Sequence, residues 1–329
     1  MHRALELARC GLGLTSPNPT VGAVIVRNGK IVGEGWHRRA GAAHAEVEAL
    51  RRAKEDGRGA TLYVTLEPCC TFGRTPPCTD AIIRAGIRRV VVGATDPNPN
   101  HAGRGLKILR QAGVLVTTGI LENKCQELNE AFNKWVTTGI PFVIAKAAMT
   151  LDGKIADKNR RSRWITCLES GVAGHTLRSQ VDAMIIGAGT LRADNPRLTV
   201  RLASHTKQPW RIILTRSGRL PRAAHVFTDR WRDRTLVFRN KSWKTVLREL
   251  GRRGMTSVIL EGGGETLASA FAAGVVDKVY FFYAPKFVGG TGAITSVEGN
   301  GLPPIQLEKV QWRKTGNDLL VAARVISKC

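Results

Sequence analysis

His44-Ala45-Glu46 places an imidazole and a carboxylate on either side of a single alanine. A second stretch, Leu66-Glu67-Pro68-Cys69-Cys70-Thr71-Phe72-Gly73-Arg74-Thr75-Pro76-Pro77-Cys78, completes the set. Together they offer one imidazole, two or three thiols and a carboxylate one residue removed from the imidazole. Three soft or borderline ligands that leave a fourth position open make a catalytic zinc site, whereas a structural zinc closes all four. A carboxylate beside the metal, and not on it, can take a proton from water and pass it to a leaving amine.

H-x-E followed by P-C-x-x-C is the signature of zinc deaminases. Here its second half is stretched, with eight residues between Cys69 and Cys78 instead of two. Any one of these residues alone would read as a buried histidine or an ordinary core thiol. In combination with Glu46 and Pro68, the residue types, order and spacing favour the metal reading.

The elements that position these groups follow from periodicity and turn chemistry. A helix is predicted over about residues 2 to 12. Strands follow over 21 to 27 and 30 to 35, joined by Asn28-Gly29, a strong hairpin signal. His44 opens a helix that runs to about Lys54, Thr61 to Thr65 is a strand, and Cys78 starts the next helix. A strand from Arg89 to Gly93, a helix from Gly105 to Ala112 and a strand from Val114 to Thr118 continue the alternation, which implies a mostly parallel sheet flanked by helices. The ligands thus fall at helix N-termini and on a loop, where amides and the helix dipole favour thiolate. Glu122 to Thr137 reads as one helix with a broad apolar face.

Gly139-Ile140-Pro141 breaks the chain, and the texture changes beyond it, so two domains are expected, 1–139 and 140–329. The second opens on a nearly continuous apolar strand, Pro141 to Ala148, as in a sheet covered on both faces. Further strands are read at 183–187, 211–214, 235–238 and 257–260, with helices leading up to Arg178 and over 244–252. Glu261-Gly262-Gly263-Gly264-Glu265-Thr266 joins a strand end to a helix start, and Lys278 to Tyr283 closes the set. Three consecutive glycines there either let backbone amides approach a diphosphate or simply form a tight turn, and the G-x-G-x-x-G fingerprint is absent. Arg178 and Arg201 are candidates for a bidentate grip on a phosphate.

Composition bounds the rest. The 329 residues carry 43% apolar and 23% charged side chains, which suits a globular protein with a sizeable core. No apolar run is long enough to span a membrane. Met1 to Ala8 alternate charge and apolar side chains, unlike a secretory leader, and seven cysteines follow no disulfide-like framework. A cytoplasmic protein is therefore expected. The net charge of +24 is dispersed over both halves without the blocks of like sign that mark a nucleic-acid tail. The rival classes are a nucleic-acid-editing deaminase drawn in by that charge and a zinc-stabilised binding protein without catalysis. The first leaves the second domain unexplained, and the second leaves Glu46 without a use.

Over essentially its full length the chain resembles the bacterial bifunctional deaminase–reductases of riboflavin biosynthesis. The first half carries Ser16-Pro17-Asn18-Pro19-Thr20-Val21-Gly22, Gly33-Glu34-Gly35-Trp36-His37, His44-Ala45-Glu46, the Cys69-to-Cys78 segment and Asp96-Pro97-Asn98-Pro99. The second half carries Lys146, Leu151-Asp152-Gly153-Lys154, Ser162 to Thr166, Asp194 to Arg201 and Glu261 to Gly264. The resemblance implies an α/β chain, with an N-terminal cytidine-deaminase-like α/β/α sandwich and a C-terminal dihydrofolate-reductase-like α/β domain. It implies zinc-dependent deamination of 2,5-diamino-6-ribosylamino-4(3H)-pyrimidinone 5′-phosphate, then NADPH-dependent reduction of the ribosyl chain to ribityl. Residue by residue, His44, Cys69 and Cys78 hold zinc, Glu46 moves the proton, and Asn18 and His37 touch substrate. In the reductase half, Ser162, Arg178, Leu198, Arg201 and Glu261 match substrate contacts. Ala148, Trp164, Thr190, Asp194, Gly262, Gly263 and Gly264 match NADP contacts. The expected partners are the phosphorylated pyrimidine and further copies of this chain, with neither nucleic acid nor membrane among them. The chain departs from the family pattern at Cys70-Thr71, where Ser-His is usual, at Ala43 for a proline, at His101 for an aliphatic residue and at Thr215 for an aspartate. Cys69 remains the favoured ligand over Cys70 because it follows Pro68 directly.

Overall fold

Asn28 and Gly29 both adopt positive φ, 49° and 75°, and close a tight hairpin between β1 (Gly22–Arg27) and β2 (Lys30–Trp36). That hairpin lies in the first of two units into which the computed structural model divides, Met1–Ile140 and Pro141–Cys329. The structure describes residues 1–73, 75–158, 165–202, 207–290, 292–299, 301 and 304–326. Ser162 and Trp164 lie outside the described residues. No helix among them is long and apolar enough to cross a membrane.

The first unit begins with α1 (His2–Arg9) and, after the hairpin, continues through α2 (Ala45–Ala53), β3 (Thr61–Leu66), α3 (Cys78–Arg84) and β4 (Arg89–Ala94). It ends with α4 (Arg104–Gln111), β5 (Leu115–Thr117), α5 (Glu122–Leu128) and α6 (Glu130–Thr138). The strands form one sheet in the order β2-β1-β3-β4-β5, antiparallel in the hairpin and at β1–β3, parallel at β3–β4 and β4–β5. The alternation that leads to a parallel sheet therefore begins only at β3. Small residues bring α2 down onto this sheet. A Cβ at Gly35 would lie 2.3 Å from the Ala45 carbonyl oxygen, and one at Gly33 equally close to that of Ala49. Ala45, Ala49 and Ala53 are buried on the facing side of the helix. This close approach fixes the N-terminal end of α2, where His44 and Glu46 sit.

The single helix expected over residues 122–137 is two helices that meet at Asn129. Asn129 is buried, accepts the Thr20 backbone N–H at 2.7 Å and donates to the Thr20 carbonyl at 2.9 Å. A side chain bound at both ends to a distant loop holds its own backbone out of helical geometry, and apolar periodicity carries no trace of that.

The second unit runs β6 (Phe142–Thr150), β7 (Lys154–Ala156), α7 (Leu168–Ser179), β8 (Ala183–Gly187), α8 (Ala188–Asp194), β9 (Trp210–Thr215), α9 (His225–Thr228) and β10 (Thr235–Arg239). It continues with α10 (Trp243–Arg252), β11 (Ser257–Glu261), α11 (Gly264–Ala272), β12 (Lys278–Ala284), β13 (Ile294–Thr295), β14 (Leu307–Thr315) and β15 (Asp318–Val325). Eight strands share one sheet in the order β10-β9-β8-β11-β6-β12-β15-β14. Its first six strands are parallel and the last two are added antiparallel. Ala183 to Ile186 and Val258 to Leu260 are almost wholly inaccessible, as apolar runs covered on both faces require.

Lys278–Tyr283 does not close the set, because β14 and β15 form a further hairpin at the sheet edge. β14, Leu-Glu-Lys-Val-Gln-Trp-Arg-Lys-Thr, is exposed at all but its last residue and so has no buried face to reveal it in the sequence.

Candidate functional site

In the first unit, His44 immediately precedes α2, Cys78 is the first residue of α3, and Cys69 lies on the loop after β3. The chain thus delivers each donor from the end of an element anchored in the core. His44 Nδ1 is 3.2 Å from Cys78 Sγ and 3.4 Å from Cys69 Sγ, and the candidate donor atoms of the three residues lie within 4.8 Å of one another. Among the described residues this is the cluster of histidine, cysteine and acidic side chains built to hold a metal ion.

The donor set fits zinc. Tetrahedral coordination with bonds of about 2.0 Å to nitrogen and 2.3 Å to sulfur puts those donors about 3.5 Å apart, close to the two separations here. Because Nδ1 faces both sulfurs, the imidazole proton belongs on Nε2, where it is donated to Thr75 Oγ1 at 3.3 Å. Such an outer hydrogen bond fixes ring orientation and tautomer. The Cys78 amide donates to Cys69 Sγ at 3.4 Å. Hydrogen bonding from Cys78, together with His44, holds the Cys69 thiol well below its ordinary range in spite of burial.

Glu46 is 3% exposed, one residue from His44 and outside the donor set. Burial pushes its carboxyl up to about 7, with the negative charge of Cys69 adding to the effect. A carboxyl so placed can both accept and return a proton. The group lines a cavity of about 300 Å³ together with His44, Cys69, Asn18 and His37. His37 donates from Nδ1 to the Ala43 carbonyl at 3.1 Å and accepts Asn18 Nδ2 at Nε2 at 3.1 Å. Burial lowers its pKa, which keeps the ring neutral in that double engagement.

One residue of this site escaped the motif reading. Glu67 is buried, and its carboxylate accepts the backbone N–H groups of Asp96 at 3.2 Å, Gly103 at 2.9 Å and Gly105 at 3.0 Å. It ties the loop after β4 to the segment that carries Cys69. Its role depends on amides about 30 to 40 positions away, so Glu67 alone gives no signal.

In the second unit the carboxyl ends of the parallel strands open onto a cavity of about 1990 Å³. β11 lies between β6 and β8 in the sheet, which is where an open α/β sheet reverses its winding and takes its ligands. On the cavity wall, Arg178 Nε and a terminal guanidinium nitrogen donate to the two carboxylate oxygens of Glu261 at 2.8 and 2.6 Å. Lys146 stands in register beside Glu261 on the neighbouring strand, with its ammonium 5.7 Å from the centre of the Phe282 ring. Burial alone would raise the Glu261 carboxyl, but Arg178 and then Lys146 outweigh it and hold it at about 2. Burial, then Arg178 and Arg201, drives His175 down to about 4. The neutral ring accepts the Arg201 backbone N–H at 3.2 Å.

Ala148, Thr190, Asp194 and Gly262 to Gly264 line the same cavity. Leu198 and Arg201 stand off its wall. Leu198 is buried in the core with a left-handed φ of 51°, and Arg201 is close enough to Arg178 to have its own pKa lowered after burial. The glycine loop fits a dinucleotide. Gly262 has φ 123°, the Gly263 amide donates to Thr190 Oγ1 at 2.9 Å, and a Cβ at Gly264 would come within 2.4 Å of the Thr295 carbonyl oxygen. Only glycines bring the N-terminus of α11 this near the cavity, and such a terminus attracts phosphate. Arg178 is committed to Glu261, so the pair presents a fixed polar wall rather than a free guanidinium.

Two family models account for the two units. Residues 1–94 match the cytidine and deoxycytidylate deaminase zinc-binding region, and residues 141–321 match the RibD C-terminal domain. A zinc-binding deaminase region followed by a reductase-type domain defines the class. The riboflavin biosynthesis protein RibD of Aquifex aeolicus is 42% identical, across 98% of this chain and 96% of its own. That of Escherichia coli is 39% identical across 88% of each. The solved Acinetobacter baumannii RibD superposes with a TM-score of 0.90 at 35% identity, covering 99% of this chain and 97% of that one. A Thermotoga maritima structure described as diaminohydroxyphosphoribosylaminopyrimidine deaminase/5-amino-6-(5-phosphoribosylamino)uracil reductase gives 0.88 at 39%, with the same coverage. The chain belongs to the RibD family, the bifunctional deaminase–reductases of riboflavin biosynthesis. A nucleic-acid deaminase would leave residues 141–321 without an explanation.

Proposed function

We propose that residues 1–139 deaminate 2,5-diamino-6-ribosylamino-4(3H)-pyrimidinone 5′-phosphate and that residues 140–329 then reduce its ribosyl chain to ribityl with NADPH. The observation that carries this reading is the trio His44, Cys69 and Cys78 beside an unligated, buried Glu46. Zinc held by those three ligands supplies a Lewis acid that makes water nucleophilic at neutral pH. Glu46 receives the proton that water gives up and returns it to the departing ammonia. Asn18 and the neutral ring of His37, already hydrogen-bonded to each other, orient the pyrimidine and shield the reacting carbon from bulk water. Thr75 keeps the His44 ring in its tautomer.

In the second unit the Arg178–Glu261 pair and Lys146 form the polar wall against which the sugar is placed. Ala148, Thr190, Asp194 and the Gly262–Gly264 loop hold the dinucleotide. Leu198 and Arg201 act from behind that wall, Leu198 through the core and Arg201 through His175. Ser162 and Trp164 are assigned to substrate and NADP on the resemblance of their motif. The protein is taken to work in the cytoplasm as a homo-oligomer, with no nucleic acid or membrane partner. β14, an exposed edge strand bearing Trp312, is a surface that a second copy would cover.

The test is incubation of the purified protein with the diaminopyrimidine phosphate, with and without NADPH. Ammonia should appear in both mixtures, and loss of NADPH absorbance should follow only after ammonia release begins. NADPH oxidation before any ammonia release would reverse the proposed order.

A further inference from the structure

We propose that the end of the second unit's cavity formed where β9 and β10 terminate is the subsite for the 2′-phosphate of the dinucleotide. Arg216 and Lys241 hold that phosphate and set the preference for the phosphorylated coenzyme. This rests on the reading of the second unit as a dinucleotide-dependent reductase.

The sheet order fixes which way the dinucleotide runs. Glu261, paired with Arg178, ends β11, Lys146 stands beside it on β6, and the glycine loop follows β11 directly. On the side of β11 away from β6 come β8, then β9, then β10. With the sugar against the polar wall and the diphosphate on the glycine loop, the adenosine end extends over β8 towards β9 and β10.

There the chain sets two cations side by side. Thr215 and Arg239 are register partners at the ends of β9 and β10, and the Asn240 N–H donates to the Thr215 carbonyl at 2.8 Å. Arg216 and Lys241 each follow directly on one member of that hydrogen bond, and both line the cavity. The turn after β9 is pinned, since the Gly218 N–H donates to Thr215 Oγ1 at 3.0 Å. Arg192, in the last turn of α8, donates to the Arg219 carbonyl at 3.2 Å and lines the same space.

The charges on the wall divide accordingly. Among the described residues, Lys146 and Arg178 belong with Glu261, Lys154 lies on β7, and Arg192, Arg216 and Lys241 gather at the ends of α8, β9 and β10. The carboxylates lining the cavity are Asp194, Glu261, Glu265 and Glu298. Glu265 meets Arg216 at 3.4 Å with both side chains exposed. An exposed pair of this kind is worth little, so a phosphate can take its place. An acidic residue in a dinucleotide site suits ribose hydroxyls, whereas an arginine accommodates a 2′-phosphate. Thr215, where relatives usually carry aspartate, keeps this strand end neutral, and Arg216 follows it.

Isothermal titration calorimetry on the full chain, with adenosine 2′,5′-bisphosphate, 5′-AMP and ribose 5-phosphate as probes, tests the subsite. The wild type should bind the bisphosphate more tightly than 5′-AMP. Arg216→Gln should weaken the bisphosphate roughly 10- to 100-fold, the range of one hydrogen bond to a charged group. Lys241→Gln should weaken it less, and both variants should bind 5′-AMP and ribose 5-phosphate as the wild type does. Thr215→Asp keeps an acceptor for the Gly218 N–H but adds a charge, and should also weaken the bisphosphate selectively. Equal wild-type affinity for the two nucleotides, or an unchanged bisphosphate affinity in the Arg216→Gln/Lys241→Gln double variant, would overturn the proposal. So would an equal loss for 5′-AMP, and a loss confined to ribose 5-phosphate would assign the cations to the substrate's phosphate instead. Failure of the wild type to bind NADPH would overturn the reductase reading, and the subsite with it.

Discussion

In the first unit, His44, Glu46, Cys69 and Cys78 converge from two helix starts and a loop, and the cavity wall supplies no lysine or arginine to balance them among the described residues. In the second, Arg178 from α7 is paired with Glu261 from β11, beside Lys146 from β6 and the neutral ring of His175. The first arrangement is completed by an ion and the second completes itself. This difference predicts that the two activities separate cleanly under conditions that strip metal or break an ion pair.

The largest effect should come from removing metal. Exhaustive chelation should abolish ammonia release yet leave the reduction of pre-deaminated substrate by NADPH intact, and re-added zinc should restore the first activity. Parallel loss of both activities would mean that the second unit also depends on the ion. Glu46→Gln sharpens the same contrast without touching the donor set. Zinc should remain bound while the deamination rate falls about 10²- to 10⁴-fold, the usual contribution of a positioned acid–base.

Breaking the second arrangement should instead register as stability. Arg178→Met strands the Glu261 carboxylate in a buried position, and loss of one partner of a buried pair costs about 3–5 kcal/mol. The denaturation midpoint assigned to the second unit should drop while ammonia release persists. A midpoint within experimental error of the wild type would show that Glu261 does not need its partner.

The smallest effect is a pH trend. His175 has a folded-state pKa depressed to about 4, so the unfolded chain binds the proton first, and stability falls as pH drops from about 6.5 towards 4. Glu261, held at about 2, contributes stability that is present above its ordinary carboxylate range and is lost as pH falls through 2. Urea midpoints of the second unit should decline in two stages, and His175→Asn should remove the upper one. An unchanged upper stage in that variant would assign it to other groups.

The same contrast governs what could be read from the sequence. The candidate metal donors lie in two short stretches whose residue types carry their own chemistry, so the meeting of His44, Cys69 and Cys78, with Glu46 lining the same cavity, could be read from the sequence. The two sheets were legible from apolar runs and from Asn28-Gly29. The Arg178–Glu261 pair was not, because nothing local marks two residues 83 positions apart as partners. Glu67 depends in the same way on amides contributed by a later loop. Asn129 divides a helix whose apolar face runs through the break, and β14 escaped notice because it buries no face. What the sequence concealed was long-range polar pairing and edge structure, where hydrophobic periodicity is silent.

The central claim is that one imidazole and two thiolates hold the ion and leave a corner for water. X-ray absorption at the zinc edge of the purified protein tests it directly. The account predicts two sulfur neighbours at about 2.3 Å, one imidazole and one further light atom. A third sulfur, contributed by Cys70, or a fourth protein ligand of any kind would contradict it.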